Sequence, residues 1–285
     1  MLRKECSSGE RLRGDASSSS MTAFYREAGA GPGVVCLHSN ASSSAQWRGL
    51  MDLLAPRFHV LAADSYGAGK SPPWPAGRRI ALRDEVALLE PVLARAGDAF
   101  SLVGHSYGGA LALIAALAHR DRVRALALYE PTLFAIVEQE SPPPNDVDGI
   151  RHTVAAAVGA LEKGDAMGAA RHFIDFWMEP GAFDRMPERN QAAIAEAGRN
   201  IQGWKDCLFE EPTPTSALAE LRIPVLLMIG TRSPLSSRAV ARRLARVLPK
   251  VEVAEMEGLG HMAPVADPDP VNRRIQDFLA DPELD

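Results

Sequence analysis

Cysteine is scarce in this chain. Its three cysteines, Cys6, Cys36 and Cys207, stand in unrelated surroundings, with no CxxC pair and no Cys/His metal spacing. That excludes a disulfide framework, gives no basis for a metal site, and fits a reducing compartment. Cys36 falls inside the apolar run VVCL and reads as a small buried apolar residue. Long hydrophobic runs are missing too: the longest, Ala110 to Ala118, is too short to span a bilayer. The opening stretch MLRKECSSGERLRGDASSSSM has charge but no apolar core, so it does not read as a secretory signal. Residues 1–20 are expected to form a disordered tail, and Met21 offers a second start. A basic surplus is also lacking. The net charge is −5 and no basic stripe is available for phosphates, which argues against a nucleic-acid partner. Arg238, Arg242, Arg243 and Arg246 fall at helical spacing and read as a solvated helix face. A cytoplasmic protein with neither membrane nor nucleic-acid partner is the expectation; its oligomeric state is not legible.

One further absence is local. No Asp or Glu occurs between Glu220 and Glu252, although PVLLMIGTRSP has the layout of a buried strand delivering a polar residue at its carboxyl end.

What is present alternates. Short apolar runs at Val34–Leu37, Val60–Ala63, Ser101–Val103, Ala125–Tyr129, Val225–Ile229 and Val251–Glu255 are separated by helical patterns at Ala45–Leu54, Ile80–Arg95, Gly109–His119, Ser236–Leu248 and Pro270–Leu279. This is the signature of an α/β fold, a mostly parallel sheet with helices on both faces. The rhythm breaks over residues 131–219, where a Pro-rich loop and amphipathic helices replace strands. The predicted organisation is a core of residues 21–130 and 220–285 with an inserted helical cap, residues 131–219.

The segment FSLVGHSYGGALALIAALA carries Gly104-His105-Ser106-Tyr107-Gly108, a G-x-S-x-G pattern between an apolar strand and an Ala/Leu helix. In that setting a serine sits on a tight turn with its hydroxyl exposed above the strand ends. The Tyr107 N–H then points into the same space at the positive end of the helix. A glycine-rich turn whose serine merely caps the helix is the plainer alternative.

LHSN at Leu37, DSYGAGKS at Asp64, GHSYGG at Gly104 and GLGHMAP at Gly258 together resemble the α/β-hydrolase superfamily over residues 22–280. An alcohol nucleophile needs a positioned base. His261 lies between the last predicted strand and the last helix in a Gly-rich loop, and the resemblance places the base in this G-x-G-H turn. The other six histidines are less apt, and His105 is expected to point away from the Ser106 hydroxyl. The resemblance also implies oxyanion donors at the N–H groups of Asn40 and Tyr107, with Ser39 standing where the family commonly has glycine. It implies a loop-bracing role for Asp64.

Many family members carry the orienting acid in G-x-x-D after the strand that here ends at Gly230; this chain has Ser233 at that place. Glu130, in YEP at the carboxyl end of the strand after the nucleophile helix, fits instead, since strand ends on that rim converge on the site. The haloalkane-dehalogenase-like branch keeps its acid there, but a serine at 106 does not transfer that branch's carboxylate chemistry. The expected protein is a serine hydrolase cleaving an acyl bond of a small, largely apolar substrate. It needs no metal or organic cofactor, and Phe176, Trp177 and Trp204 are expected near the acyl pocket. C–C hydrolysis, lactone opening, perhydrolysis and acyl transfer use the same machinery and stay open, as does a non-catalytic ligand-binding role.

Overall fold

The computed structural model describes residues 21–281. The tail expected over residues 1–20, with Cys6, lies outside the described residues. Seven strands form one sheet: β1 (Tyr25–Ala28), β2 (Gly33–Leu37), β3 (His59–Ala63), β4 (Phe100–His105), β5 (Val123–Tyr129), β6 (Val225–Gly230) and β7 (Val251–Met256). Their order is β1-β3-β2-β4-β5-β6-β7, and all neighbours are parallel except the antiparallel pair β1 and β3. Six of these strands coincide with the apolar runs. The sequence pattern predicts no strand at β1, because YREA is short and only half-buried. Its pairing comes from the exposed edge of β3, not from its own apolar content.

Helices follow in chain order: α1 (Arg48–Leu54), α2 (Leu82–Arg95), α3 (Tyr107–Ala118), α4 (Ala135–Glu140), α5 (Asp148–Glu162), α6 (Ala166–Trp177), α7 (Glu188–Gly198), α8 (Ile201–Phe209), α9 (Thr215–Leu218), α10 (Leu235–Val247), α11 (Ala263–Ala266) and α12 (Pro268–Leu279). Alternation along β2 shows how the layers form. Val35 and Leu37 enter a core with α2, α3 and α10, while Val34 and Cys36 enter a second core with α1 and α12. A strand covered on both faces is apolar throughout, which is why β2 reads as a continuous run. Burial raises the Cys36 thiol well above its ordinary pKa and keeps it unreactive.

Helices α4 to α9 lie between β5 and β6 in sequence and contain no strand. The arginine face of α10 is not wholly solvated as expected. Arg242 pairs with Asp146, and Arg243 with Glu140, so two of its four arginines meet acids of the inserted segment.

Asp64 directly follows β3 and is buried. Its Oδ1 accepts from Ser44 N at 2.6 Å and its Oδ2 from Lys70 N at 2.9 Å, tying together two loops on the carboxyl rim. Gly69, at φ +52, lies against this carboxylate, where a Cβ would collide with it. Asp64→Ala removes the acceptor for two backbone donors. It should cost about 3 kcal/mol, read as a lower urea midpoint with unchanged m-value.

Candidate functional site

Register places the site. His105 pairs with Tyr129, and Tyr129 with Met228, so the ends of β4, β5 and β6 lie side by side on the carboxyl rim. Ser106 follows β4 directly, at φ 55 and ψ −116, a conformation that L residues rarely adopt. The turn is possible because glycines flank it. A Cβ on Gly104 would lie 2.5 Å from Gly108 O, and one on Gly108 would run into the Leu37 and His38 carbonyls. As the first residue of α3, Tyr107 has its N–H among those that a helix leaves without an intrahelical acceptor.

Glu130 follows β5 and also has a left-handed backbone, φ 43. Its Oε1 accepts from Gly230 N at 2.7 Å, and its Oε2 lies 2.6 Å from His261 Nδ1. The other imidazole nitrogen, Nε2, is 3.0 Å from Ser106 Oγ. The carboxylate fixes the tautomer: Nδ1–H donates to Glu130, leaving Nε2 free to accept from the serine hydroxyl. All three side chains are buried. The Ser233 hydroxyl, where the sequence pattern has serine in place of an acid, is buried and has no hydrogen-bond partner among the described residues. What the end of β6 contributes is the Gly230 N–H.

Two further threads reach the His261 loop. His105 Nε2 donates to the His261 carbonyl at 2.9 Å, its Nδ1 accepts from Gln46 Nε2 at 3.1 Å, and Gln46 Oε1 accepts from both Ser39 N and Ser39 Oγ. Tyr129 Oη donates to the Gly260 carbonyl at 2.8 Å. Burial, with the neighbouring His261, pushes the His105 pKa well down, so this ring carries hydrogen bonds and no charge. His38 is likewise lowered by burial; it donates from Nδ1 to Ser39 O and accepts from Ser65 N. The Ser39 hydroxyl therefore fits this turn through Gln46, a partner no motif revealed.

Asn40 and Ser106 line one narrow chamber between the sheet and the inserted helices. Its walls include Phe134, Phe173, Trp177, Trp204, Leu208 and Phe209. Trp177 also stacks on the His261 ring, with centroids 4.0 Å apart. Phe176, expected beside these residues, does not line the chamber. Its ring stands edge-on behind Trp177 at 5.0 Å, facing Gly149 of α5. Adjacent residues on a helix point about 100° apart, so α6 presents Phe173 and Trp177 together and turns Phe176 away. Asn40 and Trp204 also border a broad outer groove that runs between α7 and the loops after β2 and β3. Among the described residues no group of three or more His, Cys, Asp or Glu could hold a metal ion, and no helix is long and apolar enough to cross a membrane.

Residues 32–268 match the alpha/beta hydrolase fold family, and the chain belongs to it. Among curated relatives, a 2-(acetamidomethylene)succinate hydrolase of Mesorhizobium japonicum is 27% identical, over 91% of this chain and 92% of its own length. A pimeloyl-[acyl-carrier protein] methyl ester esterase of Aeromonas hydrophila is 26% identical, over 82% of this chain and 85% of its own. The solved structure of an esterase from a Rhodococcus species superposes with a TM-score of 0.73 at 22% identity, covering 91% of this chain and 97% of that one; at this distance the likeness is one of fold.

Beneath Tyr107 lies a buried acid that no motif flagged. Glu85 of α2 is fully buried and accepts from Tyr66 N and from Tyr107 Oη, both at 3.0 Å. Burial raises its pKa from 4.5 to about 7, and the nearby Cys207 thiol is pushed up to about 12 by the same cause. The native protein thus keeps a proton on Glu85 that the unfolded chain releases near pH 4.5. The associated stability is complete below that pH, falls as pH rises to about 7, and is then lost, about 3 kcal/mol in all. Glu85→Gln removes this titration. The Tm of the variant relative to wild type should therefore climb between pH 4.5 and 7 and level off above, which thermal unfolding across that range will read.

Proposed function

We propose that this protein is a serine hydrolase that cleaves an ester-type acyl bond through an acyl-enzyme. The observation that carries the reading is the buried row Ser106–His261–Glu130, at 3.0 and 2.6 Å. Ser106 Oγ attacks the substrate carbonyl carbon while its proton passes to His261 Nε2. Glu130 orients the ring and stabilises the imidazolium that forms. The developing oxyanion is received by the N–H groups of Asn40 and Tyr107, each such donor contributing about 2.7–4 kcal/mol in comparable sites. His261 then returns the proton to the departing alcohol, and water, activated by the same imidazole, cleaves the ester on Ser106. The aromatic walls suit a small, largely apolar acyl group. The esterase named among the relatives supports this chemistry within the family.

Glu130→Gln keeps the shape of the acid but cannot stabilise imidazolium. Turnover of p-nitrophenyl butanoate should fall by about 10³–10⁴-fold. Ser233→Ala should stay within about twofold of wild type; the opposite pattern would assign the acid wrongly. A fluorophosphonate probe should label wild-type protein and not Ser106→Ala. Unlabelled, folded wild type would leave a ligand-binding role in its place.

A further inference from the structure

The chamber's lining is apolar apart from four residues: Asn40, Ser106, Thr132 and Lys205. Three of these are accounted for. Ser106 hydrogen-bonds His261, Asn40 opens to the outer groove, and the Lys205 ammonium lies 3.4 Å from Asp206 Oδ1. Thr132 is different. It is only 1% exposed, and its Oγ1 has no hydrogen-bond partner among the described residues. Its place is fixed by main chain: Thr132 N donates to the Ser106 carbonyl at 3.2 Å, and Phe134 N donates to the Thr132 carbonyl at 2.8 Å. The main chain thus holds Thr132 next to Ser106, with its hydroxyl left unpartnered.

A buried hydroxyl without a partner destabilises the protein, and valine would fill the same space without that cost. A ligand that answers the hydroxyl recovers the loss on binding. Pockets built to hydrogen-bond a polar substrate group discriminate against the analogue lacking it far more strongly than apolar pockets discriminate by size.

We propose that Thr132 is a specificity determinant. It selects acyl groups bearing an oxygen, a hydroxyl or an oxo group, a few bonds from the scissile carbonyl, over plain hydrocarbon acyl groups of the same length. Closeness to Ser106 sets the position: an atom facing Thr132 belongs to the acyl portion next to the reacting carbon. The remaining walls accept its hydrocarbon part. Thr132 acts on which substrate is bound, not on the proton transfers, and the inference rests on the serine-hydrolase reading above.

The test compares p-nitrophenyl esters of butanoate, 3-hydroxybutanoate and 3-oxobutanoate, with each kcat/KM divided by the ester's own hydroxide-catalysed rate. Wild type should favour at least one oxygenated ester by roughly 10- to 100-fold. Thr132→Val should bring that ratio to within about threefold of unity, and Thr132→Ser, which keeps the hydroxyl, should retain most of it. Thermal unfolding of both variants checks that they fold, and Thr132→Ser carries the comparison if the valine variant does not. A wild-type ratio near unity, or one that survives in Thr132→Val, overturns the proposal. Fluorophosphonate labelling separates the two levels. Labelled protein without the preference refutes only the role of Thr132, whereas folded protein that cannot be labelled refutes the hydrolase reading and this inference with it.

Discussion

A carboxylate closed off from water at the end of a central strand is the constraint around which this site is arranged. Glu130 has no solvent to stabilise its charge, and removing a carboxylate from water costs several kcal/mol unless partners replace the hydration. Two do so: the Gly230 N–H and the His261 imidazole, at 2.7 and 2.6 Å. Both partners depend on the sheet. β5 runs between β4 and β6, so a residue one step past its end reaches across to the end of β6 while staying within range of the residue after β4. The left-handed backbone at Glu130 turns the side chain into that space. The missing acid after β6 is then a consequence. A carboxylate at 233 would stand near Glu130 in a medium that screens like charges poorly.

The histidine requires a second kind of support. GLGHMAP is rich in glycine, and such a loop would wander if its backbone were free. Here the two carbonyls at 260 and 261 are each claimed, by Tyr129 Oη and His105 Nε2. The His105 thread continues through Gln46 to Ser39, so the loop that carries His261 and the loop that carries Asn40 share one chain of neutral hydrogen bonds. Because burial holds His105 uncharged, protonation changes near neutral pH do not disturb this connection. Ser106, His261 and Glu130 are therefore positioned by the backbone that follows three strands and by polar side chains behind them.

These features were unequally legible in the sequence. Continuous apolar strands and the glycines around Ser106 are local signals, because a two-sided buried strand and a tight turn each restrict residue type at fixed spacing. Glu130 is singled out in the sequence by its position on a strand end and by the gap after Gly230. β1 gave little sign, since an edge strand buries one side of a few residues and takes its register from a neighbour. Gln46, Glu85 and Thr132 gave none: each is an ordinary residue until the fold brings it to a partner, or leaves it without one. Phe176 stands behind Trp177 and off the chamber wall, because composition places aromatics in the inserted segment while helix phase decides which of them face inward.

The same distinction separates reaction from substrate. Ser106 and Glu130 each follow a strand directly, so the register of the sheet fixes their places. The walls of the chamber come mainly from α5, α6 and α8, which join the core partly through exposed ion pairs such as Arg79 with Asp206 and Glu210. Exposed pairs of this kind contribute about 0–1 kcal/mol each and fix orientation weakly. Apolar packing does more, above all Trp177 on the His261 ring and Phe134 against Phe209 at 4.8 Å. One indole thus serves as chamber wall and as cover for the His261 ring. A change in the inserted helices that reshapes the chamber therefore also alters the surroundings of His261, so the two are coupled through a single side chain even though they arise from different parts of the fold.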